Sequence, residues 1–331
     1  MIVKISTNRY FCKAMFDFPE GKRYNSFAGY YRNKYGERLQ KLVLDAGFSC
    51  PNRDGTLGTG GCTYCDNAAF HPGYSTAGKS LWDQIDEGII FHRKRYPRVS
   101  HYLAYFQSYS NTYGPLERLK ALYEEALSHT SVVGLVIGTR PDCIDEEKLD
   151  YLASLPSRIV TIEYGIESCY DKTLRRINRG HDFECARRAV EMTAERGLDV
   201  GAHFILGLPG ESREMLLDQC TAISSLPLTS VKFHQLQIVK GTRMEKEYSD
   251  NPGEFLRLSL DDYLDLVTDI LERLRPDLWI ERVAGEVPPR FVNETPWGLI
   301  RNDGILRLLD KRLEERDTWQ GRLVNCPPQE G

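Results

Sequence analysis

The chain has 331 residues, 41% hydrophobic and 27% charged, which suits one large α/β domain or two ordinary ones with a core of normal size. No run of about 18 apolar residues occurs, so no membrane-spanning helix is expected. The net charge of −4 excludes a globally basic nucleic-acid binder, although residues 1–49 carry nine Lys/Arg against four Asp/Glu, which fits either a dock for an anionic partner or a solvated basic arm.

The N-terminal MIVKISTNRYFCKAMF lacks the long apolar stretch of a signal peptide, so the expected compartment is the cytoplasm. There the nine cysteines are expected to be reduced, and a close group of them points to metal binding or catalysis rather than a disulfide framework.

In chain order, LVLDAGFSC (42–50) reads as a buried strand running into a cysteine loop, and LWDQIDEGIIFHRKRY (81–96) has helical spacing. HYLAYFQS (101–108) is strand-like, and PLERLKALYEEALSH (115–129) is a helix with Pro115 in its first turn. VVGLVIGTR (132–140) is a β-branched run, followed by the helix DEEKLDYLASL (145–155) with Asp145 at its cap. IVTIEYGIE (159–167) is a strand, and DFECARRAVEMTAERG (182–197) is a helix ending on Gly197. LDVGAHFILGLPG (198–210), REMLLDQCTAISSL (213–226) and SVKFHQLQIV (230–239) give strand, helix, strand. Six β/α units in a row imply a parallel sheet with right-handed crossovers. The expected fold class is α/β, a partial TIM-type (β/α)6 barrel over residues 41–240. A basic N-terminal arm, 1–40, packs on it. A C-terminal accessory element, 241–331, carries the amphipathic helix 261–274, an appended strand–helix and a frayed tail from Pro327. In such barrels the chemistry gathers at the C-terminal strand ends.

The loop after the first strand reads CPNRDGTLGTGGCTYC, with Cys50, Cys62 and Cys65 spaced C-x11-C-x2-C. Structural zinc usually takes four ligands in two close pairs, and Cys62/Cys65 is the only such pair. Three thiolates suit an iron–sulfur cluster with one iron left open. Gly55, Gly58, Gly60 and Gly61 let the backbone wrap a cluster and aim N–H groups at its sulfurs. Three unrelated buried thiols are the plain alternative. Downstream, GYSTAGKS (73–80) matches the phosphate-loop pattern G-x4-G-K-[ST]. That loop must follow a buried strand, which DNAAFHP is not. A plain loop with Ser80 opening the helix is expected, and a nucleotidase is the competing reading.

Cys62-Thr63-Tyr64-Cys65 on the first β/α loop resembles the radical SAM superfamily. The wider stretch NSFAGYYRNKYGERLQKLVLDAGFSCPNRDGTLGTGGCTYC resembles its YhcC-like group, and the likeness continues through YFQSYSNTY (105–113), TRPD (139–142), YGIES (164–168), LRRINRGH (174–181) and GLPGE (207–211). TRPD and NRGH are also similar to the radical SAM domain of the catalytic subunit of Elongator, a tRNA wobble-modifying enzyme. The resemblance spans residues 20–325.

The resemblance implies a 4Fe-4S cluster on Cys50, Cys62 and Cys65. It implies S-adenosylmethionine bound at the open iron and a 5′-deoxyadenosyl radical that abstracts hydrogen from a substrate. Tyr64 would pack on adenine. Gln107 and Ser108 end the second strand, where related enzymes hold the methionine amino group. Glu167 would accept from the ribose hydroxyls, and Arg179 would grip the methionine carboxylate with two parallel hydrogen bonds. Ile205, Gly207 and Leu208 would touch adenine. In the Elongator-like pattern a Glu precedes TRPD; here Gly138 stands there. Glu163 either compensates or forms an ion pair inside the barrel. The implied partners are a substrate, tRNA or a small metabolite, and an electron donor such as flavodoxin or ferredoxin. No catalytic side chain is singled out. Arg140, Asp142, His181, His203 and His234 lie near strand ends, each facing substrate or satisfied within the fold. Cys143, Cys169, Cys185 and Cys220 are expected to be packing residues, and Cys12 and Cys326 offer no second close pair. A structural metal-binding module is the reading from another class.

Overall fold

The computed structural model describes residues 18–324 except Arg158. Cys12, Cys326, the tail from Pro327 and residues 1–17 of the basic arm lie outside the described residues.

Seven parallel strands pair in chain order: β1 (Gln40–Leu44), β2 (Tyr102–Phe106), β3 (Val132–Thr139), β4 (Ile159–Glu167), β5 (Asp199–Leu206), β6 (Ser230–Gln235) and β7 (Trp279–Arg282). The sheet curls into the expected partial barrel with β1 and β7 at its edges, and the strand appended beyond the sixth unit joins β6 in parallel. The helices in chain order are α1 (Phe27–Tyr35), α2 (Leu81–Arg93), α3 (Leu116–Leu127), α4 (Glu146–Ser154), α5 (Asp171–Arg176), α6 (Phe183–Glu195), α7 (Arg213–Ser225), α8 (Arg243–Asp250), α9 (Leu260–Arg273) and α10 (Asn302–Glu315).

Side-chain caps start most of the crossover helices. Ser80, Asp145, Asp182 and Ser212 each accept from the backbone N–H three residues on, and Ser259 forms a reciprocal capping box with Asp262. Gly197 ends the turn after α6 at φ +71°. Pro115 stands one residue earlier than expected, as the N-cap of α3. β1 stops at Leu44, short of Cys50, because the Gly47 N–H bonds the Asp45 carboxylate at 3.0 Å and Gly47 takes φ +66°, which turns the chain.

The two-residue period of each strand sets the layers. In β4, Val160, Ile162, Tyr164 and Ile166 join the main core, while Ile159, Glu163 and Gly165 face the barrel interior. Helix α1 was not anticipated within the basic arm. Its Phe27, Tyr30 and Tyr31 pack on Leu103, Tyr105, Val136 and Ile159. The Tyr30 hydroxyl donates to Asp199, the first residue of β5, at 2.6 Å, and its ring lies 5.3 Å from that of Trp279, the first residue of β7. α1 therefore plugs the N-terminal mouth of the barrel and leaves the C-terminal mouth for the site. The edges are managed as well: the Ile280 N–H donates to Asn25 O at 2.7 Å, and the Val43 N–H on β1 donates to the Tyr74 hydroxyl at 3.1 Å.

Candidate active site

A cavity of about 1480 Å³ runs from the strand ends down into the barrel. The loop after β1 brings the cysteines to its wall. The Arg53 and Asp54 N–H groups close a turn on the Cys50 carbonyl at 2.8 and 3.1 Å, and the Cys65 N–H closes another on Cys62 at 3.1 Å. Gly61 takes φ +74°, and a Cβ there would stand 2.7 Å from Arg53 Nε, so only glycine fits. The loop is clamped by distant parts of the chain. Asn178 Nδ2 donates to Gly61 O at 2.9 Å and the Arg243 guanidinium donates to the same carbonyl. Arg53 donates to Cys65 O at 2.5 Å, and the Met244 N–H donates to Thr63 O at 2.9 Å. Two donors aim at a sulfur: Arg179 Nη1 lies 3.6 Å and Asn52 Nδ2 3.7 Å from Cys62 Sγ. Burial, then Cys62, push the Cys65 thiol up, and Arg53 and Arg179 oppose that rise.

The end of β4 supplies the opposite wall. The register slips between Gly165 and Glu167, and Glu167 takes φ +76°, a conformation that costs a non-glycine residue about 1–3 kcal/mol. Its carboxylate stands 3.7 Å from Arg179. A Cβ on Gly165 would lie 2.6 Å from Arg179 Nη2 and 2.6 Å from Glu167 Oε1, so this glycine keeps the space both side chains use. Arg179 and Arg140 are only 7% and 2% exposed, yet Arg179 Nε and Arg140 Nη1 have no partner among the described residues. Buried donors on a cavity wall call for an acceptor in it. Arg140 is held by Asp142 through two bonds of 2.8 and 2.7 Å. Tyr64 and Ile205 join an apolar wall with Leu174, Ile177, Leu208 and Met244.

Deeper in the cavity lies a charged floor. The Glu163 side chain, fully buried, accepts from Lys41 at 2.6 Å, Lys232 at 2.6 Å and His203 Nε2 at 3.0 Å. Glu281 pairs with the same two lysines at 2.6 and 3.0 Å. Burial alone raises the Glu163 carboxyl, but Lys232, Lys41 and His203 outweigh it and hold the group well below the usual carboxylate range. Glu163 is thus an ion pair inside the barrel. Gly201 leaves room for it, since a Cβ there would lie 3.0 Å from Glu163 Cγ.

Of the eleven residues expected around the cofactors, nine line this cavity: Cys50, Cys62, Cys65, Tyr64, Gln107, Glu167, Arg179, Ile205 and Gly207. Ser108 and Leu208 do not. The Ser108 hydroxyl pairs with His71 Nε2 at 3.0 Å, and Leu208 is wholly buried behind the apolar wall. Lys79 of the phosphate-loop pattern binds the Glu87 carboxylate at 2.6 and 2.7 Å, no strand precedes it, and Ser80 caps α2. The nucleotidase reading therefore loses both its geometry and its cation. Sequence reasoning missed the loop clamps Asn52, Arg53 and Asn178, although Asn178 belongs to NRGH. It also missed Asn111, wholly buried, whose Nδ2 ties the Phe106 and Gly138 carbonyls at 3.1 and 2.8 Å. Lys41 and Lys232 carried a readable signal: each is a charge at an inward position of an apolar strand.

Residues 55–219 match the family described as the Radical SAM superfamily, and residues 228–315 match the Radical_SAM C-terminal domain. The uncharacterized protein YtqA of Bacillus subtilis is 36% identical over 305 residues, covering 91% of this chain and 93% of its own. Protein YhcC of Escherichia coli is 35% identical over 308 residues, covering 92% of this chain and 97% of its own. The chain belongs to the radical SAM superfamily. Elongator complex protein 3 of Homo sapiens is 27% identical over 195 residues, 57% of this chain and 35% of that one. Among solved structures, the archaeal Methanocaldococcus infernus Elp3 lacking its N-terminus superposes with a TM-score of 0.63 at 18% identity, over 85% of this chain and 64% of that one, and shares the fold. This radical SAM protein is an enzyme whose cofactors are a 4Fe-4S cluster and S-adenosylmethionine. The residues present fit both: three free thiols with N–H donors turned toward sulfur, and an unpartnered buried guanidinium nitrogen beside them. Among the described residues no helix is long and apolar enough to cross a membrane.

Proposed function

We propose that Cys50, Cys62 and Cys65 hold the cluster and that S-adenosylmethionine lies between them and the β4–β5 wall. The observation that carries this reading is Arg179: buried, 3.6 Å from Cys62 Sγ, beside Glu167, with Nε unpartnered. Arg179 takes the methionine carboxylate, and Glu167, aimed by its strained backbone, accepts from the ribose hydroxyls. Tyr64, Ile205 and Gly207 frame the adenine. Gln107 lies beside the methionine end, while Ser108 and Leu208 act through their neighbours. When bound and reduced, the pair of cofactors supplies a 5′-deoxyadenosyl radical that abstracts hydrogen from substrate. The apolar wall keeps water from that space.

Two substrate readings remain from different chemistry. A tRNA substrate draws support from the tRNA uridine(34) acetyltransferase of Dehalococcoides mccartyi, 27% identical over 205 residues, 61% of this chain and 43% of that one. A small molecule draws support from the depth of the cavity, which continues past the proposed cofactor end to the charged floor. An electron donor such as flavodoxin or ferredoxin and a cytoplasmic setting go with either. Titration of the anaerobically reconstituted protein with S-adenosylmethionine tests the assignment of Arg179. Arg179→Met is expected to weaken binding at least tenfold, about the worth of one charge-assisted contact, while the cluster still assembles. Unchanged affinity would contradict it.

A further inference from the structure

The cavity, at about 1480 Å³, exceeds the roughly 300–1,000 Å³ of a pocket for one drug-sized ligand. Its charge departs from that of the chain. The whole sequence has 43 Lys/Arg against 47 Asp/Glu, but the cavity lining has ten Lys/Arg against six Glu and no Asp. This excess of four positive charges does not belong to the cofactor end alone, where Arg140 and Arg179 face Glu167.

One source of the excess is built into β7. The β6–β7 register pairs Val231 with Ile280 but Lys232 with Arg282, so one extra residue, Glu281, is inserted opposite Lys232. Such a bulge re-aims side chains. Regular alternation would send Glu281 inward and Arg282 away; here both line the cavity. Glu281 is occupied by Lys41 and Lys232. The Arg282 side chain, exposed at the cavity rim, makes no hydrogen bond or ion pair among the described residues, and neither does the exposed side chain of Arg301, which lines the same cavity. His234, two residues beyond Lys232 on the same face of β6, lines it too, its ring 5.6 Å from that of His203. Burial first, then His203 and Arg282, hold the His234 imidazole well below its usual value, so it stands neutral as a hydrogen-bonding group. Gly285 is shaped to it: a Cβ there would lie 3.0 Å from His234 Nδ1.

We infer that the β6–β7 side of the cavity is the substrate compartment, and that it takes a small anionic substrate, phosphorylated or carboxylated, whose anionic group is bound by Arg282 and Arg301 and oriented by His234. Unpaired guanidinium forks match such groups through two parallel hydrogen bonds, and the net positive cavity draws anions in. The inference deepens the radical SAM reading and rests on the cofactors occupying the other wall.

Calorimetric titration of the anaerobically reconstituted protein with inorganic pyrophosphate, and separately with citrate, tests it. S-adenosylmethionine binding to the same wild-type sample is measured beside it. The expected result is saturable one-to-one binding of at least one anion, weakened by potassium chloride. Arg282→Gln is expected to weaken it about tenfold, the loss of one charge-assisted pair, and Arg282→Lys to weaken it less, since the charge stays but the fork is lost. Arg290→Gln, outside the cavity, is expected to leave it unchanged. A preference for pyrophosphate assigns a phosphorylated substrate; a preference for citrate assigns a carboxylated one. The inference is overturned if neither anion binds saturably, if Arg282→Gln and Arg290→Gln bind alike, or if only bulk tRNA binds and pyrophosphate does not compete. Anion binding without S-adenosylmethionine binding would sink the cofactor reading and leave the anion site standing.

Discussion

Glu211 ends the GLPGE turn, 4% exposed, with one oxygen receiving the Ser168 hydroxyl at 2.5 Å and the other unpartnered among the described residues. Burial pushes its carboxyl up from 4.5 to about 7, against the opposing pull of Ser168 and Thr173. A carboxyl raised in the folded state stabilises the fold while protonated. Its contribution is full below the unfolded value of 4.5 and is lost as pH rises through about 7. Wild type is therefore expected to lose about 3 kcal/mol more stability than Glu211→Gln as pH rises from below 5 to above 8. Urea midpoints across that range check it, and parallel profiles for the two proteins would contradict it. At this scale the sequence shows the motif residues well. Arg179, Glu167 and the three cysteines sit in short strings whose chemistry is recognisable, and the fold brings them to one cavity. It shows poorly the residues that act by holding others. Asn178 and Arg53 clamp loop carbonyls that only the folded loop presents, and Asn52 in turn donates to the Asn178 carbonyl.

Among elements, the βα alternation was legible because each strand is a β-branched or aromatic run and most crossover helices carry their own caps. Helix α1 was not, although Phe27, Tyr30 and Tyr31 have helical spacing, because four Lys/Arg crowd residues 22–34 and the segment reads as a charged arm. Its partners are inward-facing residues of four distant strands, which no local pattern shows. α1 ties the barrel mouth through aromatic packing. Phe27→Ala is accordingly expected to cost about 3 kcal/mol, seen as a lower urea midpoint at unchanged slope. A change below about 0.5 kcal/mol, typical of a surface site, would mean that α1 does not plug the barrel. The β4 and β7 bulges were equally hidden, since a register slip is a property of a strand pair and not of one strand.

In the whole molecule, three layers stack along the barrel axis: the aromatic plug, the Lys41–Glu163–Lys232–Glu281 floor, and the cavity with its cysteine loop. The floor is electrostatically balanced and closes the interior without an apolar core at that level. The proposed cofactor end and the cationic side of one cavity stand on different strands of the same sheet, β4–β5 and β6–β7, so on the reading proposed above the cofactors and the substrate would face each other across it. The most direct test is electron paramagnetic resonance of the anaerobically reconstituted, reduced protein with and without S-adenosylmethionine, with 5′-deoxyadenosine assayed in the same samples and Cys62→Ala beside the wild type. A 4Fe-4S signal that S-adenosylmethionine perturbs, with 5′-deoxyadenosine formed by wild type and not by Cys62→Ala, is the predicted result. A signal indifferent to S-adenosylmethionine, or equal 5′-deoxyadenosine from both proteins, would contradict the placement of the cofactors on this loop.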